Sequence, residues 1–186
     1  LFKQKNWTLE GADAFPNLIL VNDQIWYVNA KGILKSYHLT EQQFQQFSFN
    51  SLGEKIELTA LGVEQKNQQE NTQVTSKNTS NLWLTTESGQ LLMFNLHSHK
   101  FTPIKVTFPS TFSAEKSTSI TVSKNWIWLG SQSQGLTLIN RESLEAKTLN
   151  ETNQLKNNFI ASILIDENEN AWLSTNKGIT MVESKN

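Results

Sequence analysis

The sequence contains no cysteine, which excludes disulfide bonds, thiol nucleophiles and cysteine-ligated zinc sites. It has no run of about 18 consecutive apolar residues, so it predicts no membrane-spanning helix. The 16 basic and 17 acidic residues nearly balance, and a net charge of -1 creates no field that would attract nucleic acid or an anionic membrane. Since the chain begins at Leu1 without a charged and apolar leader, we expect it to be a piece of a longer protein.

Motifs for common catalytic chemistry are also missing. Two of the three histidines lie in "HSH" at residues 97–99, where a metal site would still need a third ligand. We therefore interpret His97 and His99 as residues of a surface turn. "DENEN" at residues 166–170 lacks the glycine and distal glutamate of an EF-hand loop. The sequence predicts no catalytic residue, no metal site and no cofactor.

What the sequence does contain is a fourfold internal repeat. Each unit has a tryptophan on an apolar stretch, a polar turn, a glycine and a second strand of alternating apolar residues, as in "NAWLSTNKGITMVESK" from Asn170. The repeated tryptophans are 57, 45 and 44 residues apart. The repeated positions are Trp26, Trp83, Trp128 and Trp172, with Gly32, Gly89, Gly135 and Gly178.

Short β-rich stretches precede and follow each tryptophan–glycine pair, so one unit contains four strands in about 45 residues, the size of one β-propeller blade. The sequence therefore predicts an all-β fold of four four-stranded antiparallel blades. We place the blades approximately at residues 17–50, 72–106, 117–149 and 158–186. Residues 1–10 are predicted to be a blade-completing strand and residues 51–71 an insertion.

The repeated residues have structural roles in this fold. A tryptophan on the second strand fills the wedge between two blades and removes about 150–250 Å² of surface from water. A glycine in the following hairpin allows a positive φ without a steric penalty. We interpret all eight residues in this way.

The fourth unit stops after three strands, which leaves two interpretations open. Residues 1–9 could complete the fourth blade and close a four-bladed ring, or the chain could be a segment of a larger propeller, the interpretation that we favour. A segment would expose apolar residues on its terminal blades and would favour self-association. We expect Trp26 and Tyr27 on the first such surface, and Trp172 and Met181 on the last.

Residues 157–182, "NNFIASILIDENENAWLSTNKGITMV", resemble the two-component regulator propeller repeat. That repeat has an apolar strand ending in aspartate, an aliphatic–tryptophan–aliphatic core, threonine or serine, and then glycine with leucine or isoleucine. The matching residues are Ile163, Ile165, Asp166, Trp172, Leu173, Thr175, Gly178 and Ile179. The third unit matches through Ile120, Trp128, Leu129, Gly130, Gly135 and Leu136. In the first three units Asn22, Lys77 and Lys124 replace the aspartate.

The resemblance implies a role in bacterial signal transduction. Repeats of this family form extracytoplasmic sensor regions of histidine kinases, hybrid regulators and some cyclic-di-GMP enzymes. It therefore implies a periplasmic ligand- or partner-sensing propeller without its own enzymatic activity. The membrane span and the kinase or cyclase domain would lie elsewhere in the full protein.

The loops after the tryptophan strands all lie at one end of the predicted propeller, and this end is our candidate ligand-binding surface. Their amides, hydroxyls and ammonium groups suit a polar small molecule, such as a neutral or acidic carbohydrate. The candidate residues are Asn29, Lys31, Thr85, Glu87, Ser131, Gln132, Ser133, Thr175, Asn176 and Lys177.

Two alternatives to a sensor remain open at this stage. A catalytic propeller, such as a lyase or a glycosidase, would need carboxylates that converge on the central tunnel, and the loops offer only Glu87. A structural interaction scaffold would need no polar site at all. Both alternatives share the same predicted fold.

Overall fold

The computed structural model describes residues 17–51, 53–64, 80–109 and 117–183. The regular elements in these ranges are all β-strands, and four small antiparallel sheets are arranged as the blades of a four-bladed β-propeller. Within those ranges, no helix is long and apolar enough to cross a bilayer. The predicted all-β propeller fold is confirmed.

Each blade is built from strands that follow one another in the chain. Blade 1 contains β1 (Ile19–Val21), β2 (Gln24–Val28), β3 (Leu34–His38) and β4 (Gln43–Phe47). A small hairpin of β5 (Phe49–Ser51) and β6 (Glu54–Ile56) follows it. Blade 2 contains β7 (Leu58–Gly62), β8 (Asn81–Thr86), β9 (Leu91–Asn95) and β10 (Lys100–Ile104).

Blade 3 contains β11 (Ser117–Val122), β12 (Trp126–Ser131), β13 (Leu136–Asn140) and β14 (Ala146–Leu149). Blade 4 contains β15 (Ile160–Ile165), β16 (Ala171–Thr175) and β17 (Gly178–Val182). The described residues give blade 4 three strands, as predicted. The predicted blade-completing strand at residues 1–10 lies outside the described residues.

The second blade begins earlier than predicted. Its first strand, β7, pairs with β8 and lies inside residues 51–71, for which the sequence predicts an insertion. The predicted first strand at residues 72–80 lies outside the described residues except for Ser80. The first strand of a unit carries neither the tryptophan nor the glycine, so only its buried Leu58, Ala60 and Leu61 could have marked it.

Three apolar clusters join the four blades. The first packs Trp26 and Leu34 of blade 1 against residues of blade 2, including Leu82 and Phe94. The second and third join blade 2 to blade 3 and blade 3 to blade 4 in the same way. A closed ring of four blades would have four such junctions, and the described residues form three.

In every junction, one partner is the sheet face that carries the repeated tryptophan, which we call the Trp face of a blade. Trp26, Trp83 and Trp128 pack toward the following blade, in the first, second and third clusters respectively. Trp172 of blade 4 has no described blade beyond it and is 40% exposed. The wedge role predicted for the tryptophans is thus confirmed for blades 1 to 3.

The terminal blades expose apolar residues, although not all of those predicted. Trp172 and Met181 are exposed on blade 4, as expected, together with Leu164 and Ile179. The expectation for blade 1 is wrong, because Trp26 and Tyr27 are both buried. Trp26 is covered by blade 2, and the exposed apolar residues on blade 1 are Leu18, Leu20 and Phe44.

The repeated glycines all adopt a positive φ, as predicted, between 64° at Gly32 and 104° at Gly178. At Gly32 a side chain would also collide with the chain that leads into β7, since an added Cβ would lie 2.6 Å from the Cα of Glu57. At Gly178 an added Cβ would meet nothing within 4 Å. The hairpin of blade 4 therefore lacks the close neighbour that the hairpin of blade 1 has.

Two equivalent residues on blades 3 and 4 allow the packing to be tested. Leu136 faces Gly130 and is fully buried, whereas Ile179 faces Ser174 at the same place in blade 4 and is 77% exposed. We expect Leu136→Ala to lower the free energy of unfolding by about 2–5 kcal/mol. At a protein concentration at which the chain sediments as a monomer, Ile179→Ala should change it by less than about 0.5 kcal/mol. Urea denaturation measures both, and equal losses would contradict the assigned junctions.

Candidate functional site

Because the strands alternate in direction, the loops between second and third strands leave the blades at the same end as the connections from one blade to the next. We call this end the hairpin face. Backbone hydrogen bonds join the two sets of loops: Leu58 N donates to Gly32 O at 3.0 Å, and Gly135 N donates to Asn158 O at 2.9 Å. The hairpin face is therefore a connected surface and not a set of separate turns.

A cavity of about 410 Å³ opens on the hairpin face among the first three blades. Its wall consists of the β2–β3 loop, the start of β7 with the residue before it, the start of β11 and the β12–β13 loop. The lining residues are Asn17, Val28, Asn29, Ala30, Gly32, Glu57, Leu58, Thr59, Ala60, Leu61, Ser117, Thr118 and Gln132.

Some polar groups of the lining are already engaged. Thr118 Oγ1 donates to Ile160 O at 2.7 Å, and the hydroxyls of Thr59 and Thr85 lie 2.9 Å apart in a hydrogen bond. The side chains of Glu57 and Gln132 are exposed. Among the described residues of the lining, Glu57 is the only charged one, so this part of the cavity combines one carboxylate with neutral polar groups and apolar side chains.

One polar residue before each hairpin stabilises the turn with its own side chain. Asn29 Oδ1 accepts from Ile33 N at 2.9 Å, and Thr86 Oγ1 accepts from Gln90 N at 3.0 Å. Ser131 Oγ accepts from Gln134 N at 2.8 Å, and Thr175 Oγ1 accepts from Lys177 N at 3.1 Å. These oxygens bind backbone groups that the tight turns would otherwise leave without a partner.

The structure brings two of the ten candidate residues, Asn29 and Gln132, to the cavity. Thr85 is fully buried, and the ammonium of Lys177 lies 3.3 Å from the carboxylate of Glu151, in the connection between blades 3 and 4. The candidates that do not line the cavity are Lys31, Thr85, Glu87, Ser131, Ser133, Thr175, Asn176 and Lys177. The hairpin turns thus supply only part of the cavity lining, and the role of the ten candidate residues in ligand binding stays a prediction.

The sequence reading missed Glu57, Thr59, Ser117 and Thr118. They belong to blade connections and to the first strands of blades 2 and 3, which lie nearest the centre of the propeller. In the sequence, these residues could be found only by their position at the start of a first strand. In blade 2 the sequence predicts an insertion at this place, so the start of β7 is not recognised there.

Asp166 organises the turn that precedes Trp172. Its carboxylate accepts hydrogen bonds from the indole Nε1 of Trp172 at 3.0 Å and from the backbone N of Asn168 and Asn170, both at 2.9 Å. These donors, the indole above all, lower the pKa of Asp166 below its ordinary value of 3.8. In blade 3 the corresponding acceptor is the hydroxyl of Ser123, which lies 3.2 Å from Trp128 Nε1. Ser123, and not Lys124, therefore takes the place of the aspartate there.

His97 and His99 lie in the turn between β9 and β10, as predicted, and the ring of His99 packs on Phe47 at 4.9 Å between centroids. Across the described ranges, no three histidine, aspartate or glutamate side chains come together as metal ligands.

Comparison with known proteins supports the fold. No protein-family profile matches the chain, and no curated protein sequence matches it. The chain superposes over 97% of its length on the extracellular domain of BT3049, assigned to the hybrid two-component systems of B. thetaiotaomicron, with 17% identity and a TM-score of 0.66. The extracellular domain of BT4673, with the same assignment and organism, matches over 98% with 19% identity and a TM-score of 0.61.

The chain spans about a quarter of those two structures, 24% and 22% of their lengths. It also superposes over 93% of its length on 52% of the WD40 β-propeller domain of Doa1, with 11% identity and a TM-score of 0.64. The propeller fold implied by the repeat resemblance is thereby confirmed. The four blades correspond to about half of a propeller domain of that kind.

The turn role of Ser131 can be separated from ligand binding. We expect Ser131→Ala to lower the free energy of unfolding by about 1–3 kcal/mol, because it removes the buried acceptor for Gln134 N. Gln132→Ala, at the next and exposed position, should change it by less than about 0.5 kcal/mol. Thermal denaturation of both variants measures the difference, and an unaffected Ser131→Ala protein would refute the turn role.

The hydrogen bonds to Asp166 also predict a pH dependence. Since they lower the pKa in the folded state, their stabilisation is present above the ordinary value of 3.8 and is lost as the pH falls through the lowered pKa. We expect Asp166→Asn to reduce the acid-induced fall in melting temperature between neutral pH and about pH 3. Glu167→Gln, at the adjacent exposed residue, is the control and should retain the full fall. Equal pH profiles for all three proteins would contradict this assignment.

Proposed function

We propose that this chain is part of an extracytoplasmic sensing propeller of a bacterial two-component signalling protein, and that it binds a small polar ligand in the cavity of the hairpin face. The cavity among blades 1 to 3 is the observation that carries the proposal. The fold supports it, since similar structures include extracellular domains assigned to hybrid two-component systems. In this proposal the region lies in the periplasm.

The size and composition of the cavity fit ligand binding. Small-molecule sites have volumes of about 300–1,000 Å³ and combine apolar walls with a few polar groups that orient the ligand. The volume of about 410 Å³ falls in this range, and the lining combines apolar Val28 and Leu61 with polar Asn29, Thr59 and Gln132. The lining groups are held by hydrogen-bonded turns and strands, so little ordering would be needed on binding.

The charges of the lining favour a neutral ligand over an acidic one. Glu57 is the one ionisable side chain among the described lining residues, and neither Lys31 nor Lys177 belongs to that lining. The carboxylate of Glu57 can accept hydrogen bonds from the hydroxyls of a neutral sugar, and the amide and hydroxyl groups beside it can both donate and accept. An acidic sugar would meet the charge of Glu57 without a compensating cation. We therefore propose a neutral oligosaccharide as the ligand class.

A catalytic propeller is less well supported. Glycoside hydrolysis ordinarily uses two carboxyl groups that flank the scissile bond. The described lining contains Glu57 alone, while Glu87 lies outside it and is joined to Glu57 through their backbones, with Glu87 N donating to Glu57 O at 3.0 Å. A single carboxylate fits recognition better than acid–base catalysis. In this proposal, any kinase or cyclase activity belongs to another part of the full protein.

The proposal is tested by titrating neutral oligosaccharides, such as cello-, xylo- and malto-hexaose, into the isotope-labelled protein. We expect chemical-shift changes at Glu57, Thr118 and Gln132. Gln132→Ala should weaken binding about five- to tenfold, the effect of losing about one hydrogen bond. Gln134→Ala is the matched control, because it removes the same side chain from the same loop outside the cavity.

Other outcomes would overturn specific parts of this proposal. Binding of oligogalacturonate in preference to the neutral sugars would contradict the ligand charge deduced from Glu57. Shifts confined to the opposite end of the blades, around His97 and Glu142, would contradict the site. Absence of binding by every sugar in the panel would reject carbohydrate recognition and leave the scaffold interpretation.

A further inference from the structure

We propose that two copies of this chain associate head to tail, with the exposed Trp face of blade 4 in one copy packed on the outer face of blade 1 in the other. We call the first surface the Trp172 face (Leu164, Trp172, Ile179, Met181). The second is the Leu20 face (Leu18, Leu20, Phe44 and the residues in register with them). This inference does not depend on the proposed ligand.

Strand register shows that the Trp172 face is built like a junction between blades. Leu164, Trp172 and Met181 lie side by side across the three strands of blade 4. The same row in blade 3 is Thr121, Trp128 and Leu138. That row is buried, and blade 4 covers it: Trp128 and Leu138 belong to the third apolar cluster, and Thr121 Oγ1 donates to Ile163 O at 3.0 Å.

The apolar residue that follows each hairpin shows the same pattern of burial by the next blade. Leu34, Leu91 and Leu136 begin the third strands of blades 1, 2 and 3, and each is almost fully buried in the cluster shared with the following blade. Ile179 has the equivalent place in blade 4, opposite Ser174, and is 77% exposed. What buries this position in the other three blades is a neighbouring blade.

The Leu20 face is the other half of such a junction. Leu20, Ile25, Tyr37 and Phe44 form one row across the four strands of blade 1. The corresponding row in blade 3 is Val122, Ile127, Ile139 and Ala146, which is buried against blade 2. In blade 1, Leu20 and Phe44 remain 61% and 53% exposed. This row is therefore the type that meets the Trp face of a preceding blade.

The two exposed faces are thus complementary, and each copy carries one of each. Each of the three junctions between blades packs a Trp face on a face of the other type. A Trp172 face on a Leu20 face would have this same arrangement, whereas two Trp faces packed together would not. The rows that contain Trp172 and Leu20 have no charged side chain. The charges beside them are Lys35, in the adjacent row of blade 1, and Asp166, whose carboxylate already accepts a hydrogen bond from the Trp172 indole. Burial of apolar patches of this kind favours association.

The curvature of the blades favours closure with two copies. The chain superposes on about half of the WD40 propeller domain of Doa1. Two copies joined at both pairs of faces would therefore complete a ring of about eight blades, within the usual range of about four to eight. A head-to-tail contact that closes in this way gives a finite dimer and not a filament.

Sedimentation velocity of the 186-residue chain over a wide concentration range tests the proposal. We expect a species of twice the 21.2 kDa chain mass at high concentration. Ile179→Glu and Leu20→Glu, on opposite faces, should each weaken dimerisation at least tenfold. Leu39→Glu is the matched control, since Leu39 is also an exposed leucine but lies after β3, at the end of the blade away from the hairpin face. It should leave the dimer intact.

Mixing the two disruptive variants distinguishes head-to-tail packing from other modes. The mixture contains one intact Trp172 face and one intact Leu20 face, so we expect dimers to reappear that neither variant forms alone. A wild-type chain that stays monomeric at high concentration would overturn the proposal, and the covering blade would then have to come from other polypeptide. If Ile179→Glu abolishes the dimer and Leu20→Glu has no effect, the copies pack through two Trp172 faces and the proposal is wrong. Circular dichroism verifies that each variant stays folded.

Discussion

The packing of blade on blade is the constraint on which the rest of this structure depends. A sheet of three or four short strands has little stability in water unless its apolar faces are covered. Here the sheets of blades 2 and 3 have apolar residues on both faces, and each face is covered by a neighbour. Trp128 and Ile127, adjacent on β12, are fully buried in two different clusters. No blade of this chain can therefore be understood as an independent unit, and the two terminal blades each retain one face of the same construction.

Polar side chains at the hairpin face stabilise the turns, and this role requires no ligand. A tight turn bends the backbone and leaves amide groups that need acceptors. Asn29, Ser131 and Thr175 supply those acceptors, so a repeated polar residue in this position is explained without any ligand. Residues such as Glu57 and Gln132 differ, since their side chains are exposed beside a cavity. Polar residues that stabilise a turn can therefore be told apart from candidate ligand-binding residues by the partners of their side chains, although the residue types are the same.

The sequence predicts those parts of the fold that have a fixed local marker. Trp128 and Gly135 mark a second strand and its hairpin, because a large aromatic fills an interblade wedge and a positive φ needs glycine. A first strand has no such marker, since its residues only have to be small or apolar enough to pack near the centre. The position of β7 and the contribution of Glu57 therefore follow only from tertiary pairing with β8. Ser123 illustrates the same limit, because its equivalence to Asp166 is visible in the indole hydrogen bond and not in residue type.

The cavity and the exposed faces are connected through the geometry of the propeller. The first strands line its centre, and those of blades 2 and 3 already contribute Thr59 and Thr118 to the cavity wall. A blade packed on the Trp172 face or on the Leu20 face would bring a further first strand toward the same centre. Groups on that strand would then share the space that a ligand occupies. Under the proposed association, ligand affinity and dimerisation would be thermodynamically linked, because a ligand that gains favourable contacts from the second copy binds the dimer more tightly than the monomer and shifts the equilibrium by that difference.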